Sequence, residues 1–127
     1  MAKATSPDRA FDYPLKIEIF IRDVPQLEVI LLSFDKIESK LLIDKPELWI
    51  PKDIYPDRIT IKTFEEFLET RLPDKTRDDI DYILSNYGLR FFNPLQMCMK
   101  SHGRNMTDFL WMRFDDEKVT FNDIRLR

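Results

Sequence analysis

Alternating apolar and polar residues near the start of the chain limit what it can fold into. Residues 16–21 read Lys-Ile-Glu-Ile-Phe-Ile, and this period of two puts every second side chain on one face of a β-strand. Apolar and β-branched residues resume over residues 27–34, after a break at Arg22-Asp23-Val24-Pro25. A third strand is expected over residues 39–43, after a turn at Asp35-Lys36. The pattern predicts an antiparallel β-meander whose first turn contains the proline.

Residues 44–57 hold three prolines and a tryptophan. Because proline fixes φ and lacks a backbone N–H, we expect a shaped loop with one helical turn at residues 46–49. Residues 58–62 alternate again and predict a short strand. Thr63 and Glu66 then match a capping box, which predicts a first helix that ends near residue 71. Its buried face would consist of Phe64, Phe67 and Leu68.

Two more helices and a last strand are expected in the second half of the chain. The second helix should cover residues 76–87, with Thr76 or Asp74 as its cap and Gly88 just beyond its end. The third should begin at Pro94, after an Asn93 cap, and stop before Gly103. Residues 108–114 predict a strand with apolar side chains on both faces. The predicted fold class is α+β: a small antiparallel meander, about three helices and a C-terminal strand.

The composition suits one folded domain. With 127 residues and 43% hydrophobic residues, we expect a flexible leader over residues 1–12 and a single domain over residues 13–127. The charged residues sum to −3, so direct nucleic-acid binding is disfavoured, and Arg125 and Arg127 are expected to be solvated. No run of about 18 apolar residues predicts a membrane span. A single cysteine, Cys98, excludes an internal disulfide and suits a reducing cytoplasm.

No residue pattern predicts catalysis or a cofactor. Cys98 and His102 are four residues apart and would share a helix face, but a structural zinc site needs four ligands. The acidic runs at residues 78–81 and 115–117 are expected to be solvated surface. Gly88 and the chain's other glycine are explained by helix ends, so no phosphate-binding loop is expected. We therefore expect a protein that is not an enzyme, with no catalytic residue, metal or cofactor.

Trp49 is the clearest candidate for contact with a partner. A tryptophan in a proline-rich loop is a pre-ordered anchor, and tryptophan dominates interface hot spots. We predict a partner-binding element made of Trp49, Ile50 and Tyr55. Trp111, on the last strand, is expected to be core.

The run Phe-Leu-Glu-Thr-Arg-Leu-Pro-Asp at residues 67–74 resembles the run Phe-Phe-Glu-Asn-Leu-Leu-Pro-Glu in the N-terminal subdomain of HipA-type serine/threonine kinases. The same order of positions continues through Arg77, Ile80, Leu89, Pro94, Leu95 and Gly103. The resemblance implies a small α+β unit that packs on a kinase core and holds none of its catalytic residues.

A stand-alone version of this unit is the HipS-type antitoxin, which accompanies a shortened kinase, HipT, and a helix-turn-helix protein, HipB. The resemblance thus implies an antitoxin that docks on a HipA-like kinase toxin and blocks its active site, with a HipB-like protein as a further partner in a larger complex. Two alternatives stay open. One is a small hydrolase that uses Cys98 and His102 or an acidic pair, and the other is a structural adaptor with an unrelated fold.

Overall fold

A computed structural model describes residues 12–105, 108–115 and 117–124 of the chain. Four strands form one antiparallel sheet in the order β3-β2-β1-β4: β1 Leu15–Ile21, β2 Val24–Ser33, β3 Lys36–Leu41 and β4 Leu110–Phe114. The helices are α1 Ile61–Glu69, α2 Ile80–Asn86, α3 Pro94–Ser101 and α4 Phe121–Ile124, and a single 3-10 turn covers Lys52–Ile54. The predicted α+β class and meander are confirmed. Nearly all of the predicted leader lies outside the described residues.

One face of the sheet carries the hydrophobic core. Ile17 and Ile19 of β1 lie opposite Val29 and Leu27 of β2 on one side and Phe114 and Met112 of β4 on the other. All six side chains are buried, and they pack with Phe64, Phe67 and Leu68 of α1, the face that the sequence predicted. This row of every second residue is the physical result of the alternation in the sequence.

The first hairpin differs from the prediction in its turn. The turn is Arg22-Asp23, with Arg22 at a φ of 53°, and Pro25 lies inside β2 opposite Phe20. The pairing shifts between Ile19 and Phe20, so the proline lies at an irregularity of the ladder. It also lies outside residues 27–33, the part of β2 that pairs with β3. Proline is tolerated there because no ladder hydrogen bond needs its nitrogen. The third strand begins at Lys36, three residues before its predicted start, because the second turn is also earlier.

The first helix also starts earlier than predicted. Its cap is Thr60, whose Oγ1 accepts a hydrogen bond from the Thr63 N–H at 3.0 Å, while the Thr63 hydroxyl oxygen accepts one from the Thr60 N–H at 2.9 Å. Two threonines therefore form the capping box in place of Thr63 and Glu66. Residues 61 and 62 are helical, so the predicted strand over 58–62 is wrong. A hydrogen-bonded turn lies at the predicted residues 46–49, where the Ile50 N–H donates to the Glu47 oxygen at 2.9 Å, but the 3-10 helix of this loop is Lys52–Ile54.

The second helix is shorter than predicted and the third is confirmed. The α2 helix begins at Ile80, because Asp74 accepts a hydrogen bond from the Thr76 N–H at 2.8 Å in a local turn before any helix starts. Leu84 is the one fully buried residue of α2. In α3, Asn93 Oδ1 accepts from the Gln96 N–H at 3.0 Å as a cap. Because both termini of α3 are set by local chemistry, the sequence located it correctly.

A buried ion pair joins the end of α1 to the start of β4. The Arg71 guanidinium donates two hydrogen bonds to the Asp108 carboxylate, at 2.8 and 2.6 Å, and further bonds to the backbone oxygens of Gly103 and Leu110. Glycine is also favoured at position 103, because φ is 63° there and a Cβ would overlap the Met112 Cε. Trp111 is 1% exposed and stacks on Phe20, which confirms its predicted place in the core.

Candidate partner-binding surface

Three aromatic rings from distant parts of the chain meet at the end of the sheet where β1 turns into β2. The ring centroids of Trp49 and Phe109 are 6.2 Å apart, and those of Phe109 and Phe121 are 6.0 Å apart in an edge-to-face arrangement. Trp49 is 48% exposed and Phe109 is 39% exposed. Aromatic contacts of this kind fix ring positions while solvent still reaches the outer faces.

A buried glutamine fixes the loop that carries Trp49. Gln26 is 1% exposed, and its side-chain oxygen accepts a hydrogen bond from the Glu47 N–H at 2.9 Å. The Gln26 backbone oxygen accepts a second bond, from the Leu42 N–H. Ile50, on the other side of Trp49, is 2% exposed and belongs to the core. Trp49 is therefore held between two buried anchors.

Two arginines lie on the same rings. Arg22 Cζ is 4.1 Å from the centroid of Phe109, and Arg104 Cζ is 5.2 Å from the centroid of Phe121. The backbone of Arg22 is fixed as well, since its N–H donates to the Phe109 oxygen and its own oxygen accepts from the Trp111 indole N–H. We call Trp49, Phe109, Phe121, Arg22 and Arg104 the Trp49 surface.

The two arginines of this surface lack close ion pairs in the described ranges. Among the described residues, neither Arg22 nor Arg104 forms an ion pair with a carboxylate. Arg104 donates to the Asp108 backbone oxygen at 2.7 Å, while its buried Nε has no hydrogen-bond partner there. Burial lowers the pKa of Arg104 from its usual value, the nearby Asp108 carboxylate opposes this shift, and the Arg71 charge adds a smaller lowering. The hydrogen bonds from Arg71 lower the pKa of Asp108, and the charges of Arg71 and Arg104 lower it further.

The three predicted partner-binding residues occupy different environments. Trp49 is half-exposed, Tyr55 is half-buried and packs against the core, and the Ile50 side chain is enclosed in the core. Of the three, Trp49 offers the largest accessible apolar area, and Ile50 supports it from inside. Leu48, next to Trp49 in sequence, is 97% exposed.

Sequence reasoning missed the other members of the Trp49 surface. The one available signal was the last strand, whose alternation placed Phe109 on the same side as Trp111. Nothing local to Arg22 or Phe121 indicated that they would meet Phe109, because that contact requires the β1–β4 pairing and the position of α4.

A second apolar feature lies at the opposite end of the sheet. A cavity of about 340 Å³ opens between the β2–β3 turn, α1 and the start of α3. Its lining includes Tyr13, Phe34, Ile61, Glu65, Phe92 and Leu95. We call this cavity the Phe34 groove.

The candidate catalytic pair is occupied with other contacts. Cys98 is fully buried, its thiol lies 3.7 Å from the Leu68 oxygen, and burial raises the pKa of the thiol to about 12. A thiol with this pKa is almost entirely protonated at neutral pH, and the thiolate is the nucleophile. His102 Nε2 lies 3.1 Å from a Glu117 carboxylate oxygen. The two side chains thus have different partners, and the geometry does not favour a Cys-His nucleophile.

The acidic runs are spread over separate contacts. Asp79 pairs with Arg77 at 3.0 Å, and the Asp115 carboxylate accepts from the Lys16 N–H. The acidic residue between Asp115 and Glu117 lies outside the described residues. Across the described ranges, no three His, Cys, Asp or Glu side chains come close enough together to hold a metal ion. Likewise, no helix within these ranges is long and apolar enough to cross a membrane.

Known proteins give no information about the role of this surface. No protein-family model, no curated protein and no solved structure gives a significant match to the chain.

Proposed function

We propose that this protein is an antitoxin that binds a HipA-like serine/threonine kinase and blocks its active site. The observation that carries the proposal is Trp49, a half-exposed tryptophan held between buried Gln26 and buried Ile50. Interfaces gain most of their energy from a few such aromatic anchors, and an anchor that is already ordered loses little entropy on binding. The class of partner comes from the resemblance over residues 67–104.

The proposed mechanism is steric and needs no chemistry from this chain. Trp49 would enter the nucleotide or substrate cleft of the kinase, with Tyr55 beside it and Ile50 supporting the loop from within the core. The exposed side chain of Leu48 adds apolar area on the same loop. A HipB-like helix-turn-helix protein would join through the kinase, and the complex would act in a reducing cytoplasm, the compartment that a single free cysteine suits.

The first test is physical association. The genes that flank the coding sequence should include a HipA-like kinase, and the purified kinase should co-elute with this protein and lose its phosphorylation activity. If a kinase is encoded there but neither co-elutes nor is inhibited at micromolar concentrations, the proposal is wrong.

The second test identifies the surface. Trp49→Ala should weaken kinase binding by about 30-fold or more, because hot-spot tryptophans contribute at least about 2 kcal/mol. Phe91→Ala is the matched control, since Phe91 is 71% exposed and lies after α2, outside the Trp49 surface. Equal losses in the two variants would show that Trp49 is not the anchor.

A further inference from the structure

The two arginines of the Trp49 surface have an unusual setting for surface cations. Each guanidinium lies over an aromatic ring, and the two rings, Phe109 and Phe121, contact each other. Cation–π contacts hold an arginine in place without neutralising its charge. Each of the two positive charges is therefore held over a ring of the Trp49 surface.

Arg22 and Arg104 differ from the ion-paired arginines elsewhere in the chain. The protein carries a net charge of −3. Within the part of the chain that the structure describes, four arginines form ion pairs with carboxylates: Arg58 with Asp53, Arg71 with Asp108, Arg77 with Asp79 and Arg113 with Glu18. Arg22 and Arg104 are the arginines that meet aromatic rings without such a partner in the described ranges. Asp23, next to Arg22 in the sequence, accepts a hydrogen bond from the Phe121 N–H and keeps its negative charge, so Arg104 is the arginine of this surface that lies farther from an adjacent acidic residue in sequence.

Arg104 also has a donor that points inward with no acceptor. Its Nε is buried and makes no hydrogen bond within the described residues, while its Nη1 is held by the Asp108 backbone oxygen. A buried donor without an acceptor costs free energy, and an anionic oxygen offers a strong compensating bond.

We propose that Arg22 and Arg104 recognise an acidic segment of the partner protein, one that carries Asp or Glu side chains next to an apolar residue. The carboxylates would bind the two guanidiniums, and the apolar residue would lie against Trp49 and Leu48. This inference rests on the proposed function in one respect, because it takes the Trp49 surface to be the docking site. Charge complementarity favours an acidic protein segment over a basic or neutral one.

The inference can be tested without the kinase. The probe is a short fluorescent peptide in which one leucine is flanked by glutamates, and its binding is followed by anisotropy at low salt. Two companion peptides replace the glutamates with lysines or with a single phosphoserine. We expect the glutamate peptide to bind, the lysine peptide not to bind, and the affinity to fall as salt is raised.

The matched variants remove the same amount of charge in two places. Arg22→Gln with Arg104→Gln should weaken binding of the glutamate peptide by about tenfold or more, the scale expected for paired charge-assisted contacts. Arg90→Gln with Lys62→Gln, at exposed positions elsewhere, should leave it unchanged. Arg22→Gln alone is a second variant that should fold normally, because Arg22 is exposed and glutamine has the same backbone strain as arginine at a φ of 53°. It should weaken binding severalfold.

The outcomes separate this inference from the proposed function. Unchanged peptide binding in the arginine variants, or binding of the phosphoserine peptide alone, would overturn the acidic-segment proposal even if the kinase still binds. Loss of kinase binding in the same arginine variants, but not in the Arg90 and Lys62 control, would support it. If the glutamate peptide binds as predicted but no HipA-like kinase does, the recognition chemistry stands and the kinase proposal fails.

Discussion

The two ends of the sheet both expose aromatic side chains, but only one of them fixes those side chains in place. At the Trp49 surface, a buried glutamine, a core isoleucine and a ring contact with Phe109 define where Trp49 lies. At the Phe34 groove, Phe34 is 77% exposed on a turn that is closed by a hydrogen bond between Ser33 and Asp35. Exposure alone would rank Phe34 above Trp49.

The two ends of the sheet also differ in the sign of the charged side chains that they present. The Trp49 surface presents Arg22 and Arg104, whereas the Phe34 groove has a carboxylate, Glu65, in its lining. An ordered aromatic residue with fixed charges beside it loses less entropy on binding than a mobile one. The comparison teaches that the anchoring of a residue, more than its exposed area, identifies a docking surface.

The largest expected effect comes from the ion pair that supports the Trp49 end. Arg71→Ala should lower the free energy of unfolding by about 3 kcal/mol, because it leaves the partly buried Asp108 carboxylate without its ion-pair partner. Urea denaturation measures the loss. Hydrogen exchange should speed up at Phe109 and Leu110 more than at Leu31, beside the groove. Arg77→Ala, which breaks an exposed pair with Asp79, should leave the unfolding midpoint in place, and equal destabilisation by the two variants would contradict this account.

Acid should weaken the same end of the molecule. The hydrogen bonds from Arg71 lower the folded-state pKa of Asp108 below the ordinary value of 3.8. A carboxyl with a depressed folded pKa stabilises the protein above its unfolded pKa, and this stabilisation is lost as the pH falls from about 3.8 through the folded value. Urea denaturation between pH 7 and pH 3 should therefore show a steeper loss for the wild type than for Asp108→Asn. Parallel pH profiles would exclude Asp108 as a contributor.

A smaller effect is expected from the loop anchor. Gln26→Leu should cost about 1–3 kcal/mol, because the Glu47 N–H loses its acceptor in a partly buried position. Acrylamide quenching should increase, and it reports on Trp49 because Trp111 is buried. Ser39→Ala is the control, since it removes the hydrogen bond to the Ile54 oxygen at the far end of the same loop. If Ser39→Ala exposes Trp49 equally, Gln26 is not the specific anchor.

The smallest effect is expected at the groove. Phe34→Ser should change the free energy of unfolding by no more than about 0.5 kcal/mol, since the side chain is mostly solvated and exposed substitutions rarely cost more. Kinase affinity, measured as for Trp49→Ala, should be unchanged. A large loss of affinity in this variant would move the docking surface to the opposite end of the sheet.

The sequence located best the elements whose limits are set by nearby residues. The β1 strand follows from strict alternation, and α3 follows from the Asn93 cap and Pro94, which act within a single turn. The start of α1 differs from the prediction because Thr60 and Thr63 form a capping box through two hydroxyls, whereas Glu66, three residues after Thr63, indicated Thr63 as the cap. The α2 helix was predicted too long because Asp74 and Thr76 use their side chains in a turn that competes with helix.

Of the residues at the candidate site, the sequence predicted a role for Trp49 but not the roles of its neighbours. The residue type of Trp49 and the prolines around it indicated a partner-binding residue. Gln26 gave no signal, because a single glutamine in an apolar strand does not indicate which distant N–H it accepts from. Ile50 looked accessible in the sequence but is enclosed by the core. Local composition cannot separate the side of a loop that faces solvent from the side that is buried.

The sequence by itself determined β1, the third helix and the apolar character of both faces of β4, because periodicity and capping act over a few residues. Only the tertiary structure decided that Arg22, Trp49, Phe109 and Phe121 would meet, and that Asp108 would be used by Arg71 while Arg22 and Arg104 kept their charges without a carboxylate partner in the described ranges. The physical reason is that ring contacts, buried hydrogen bonds and ion pairs depend on distances between segments far apart in the chain. Those distances exist only after β4 has paired with β1 and the loop has closed over Gln26.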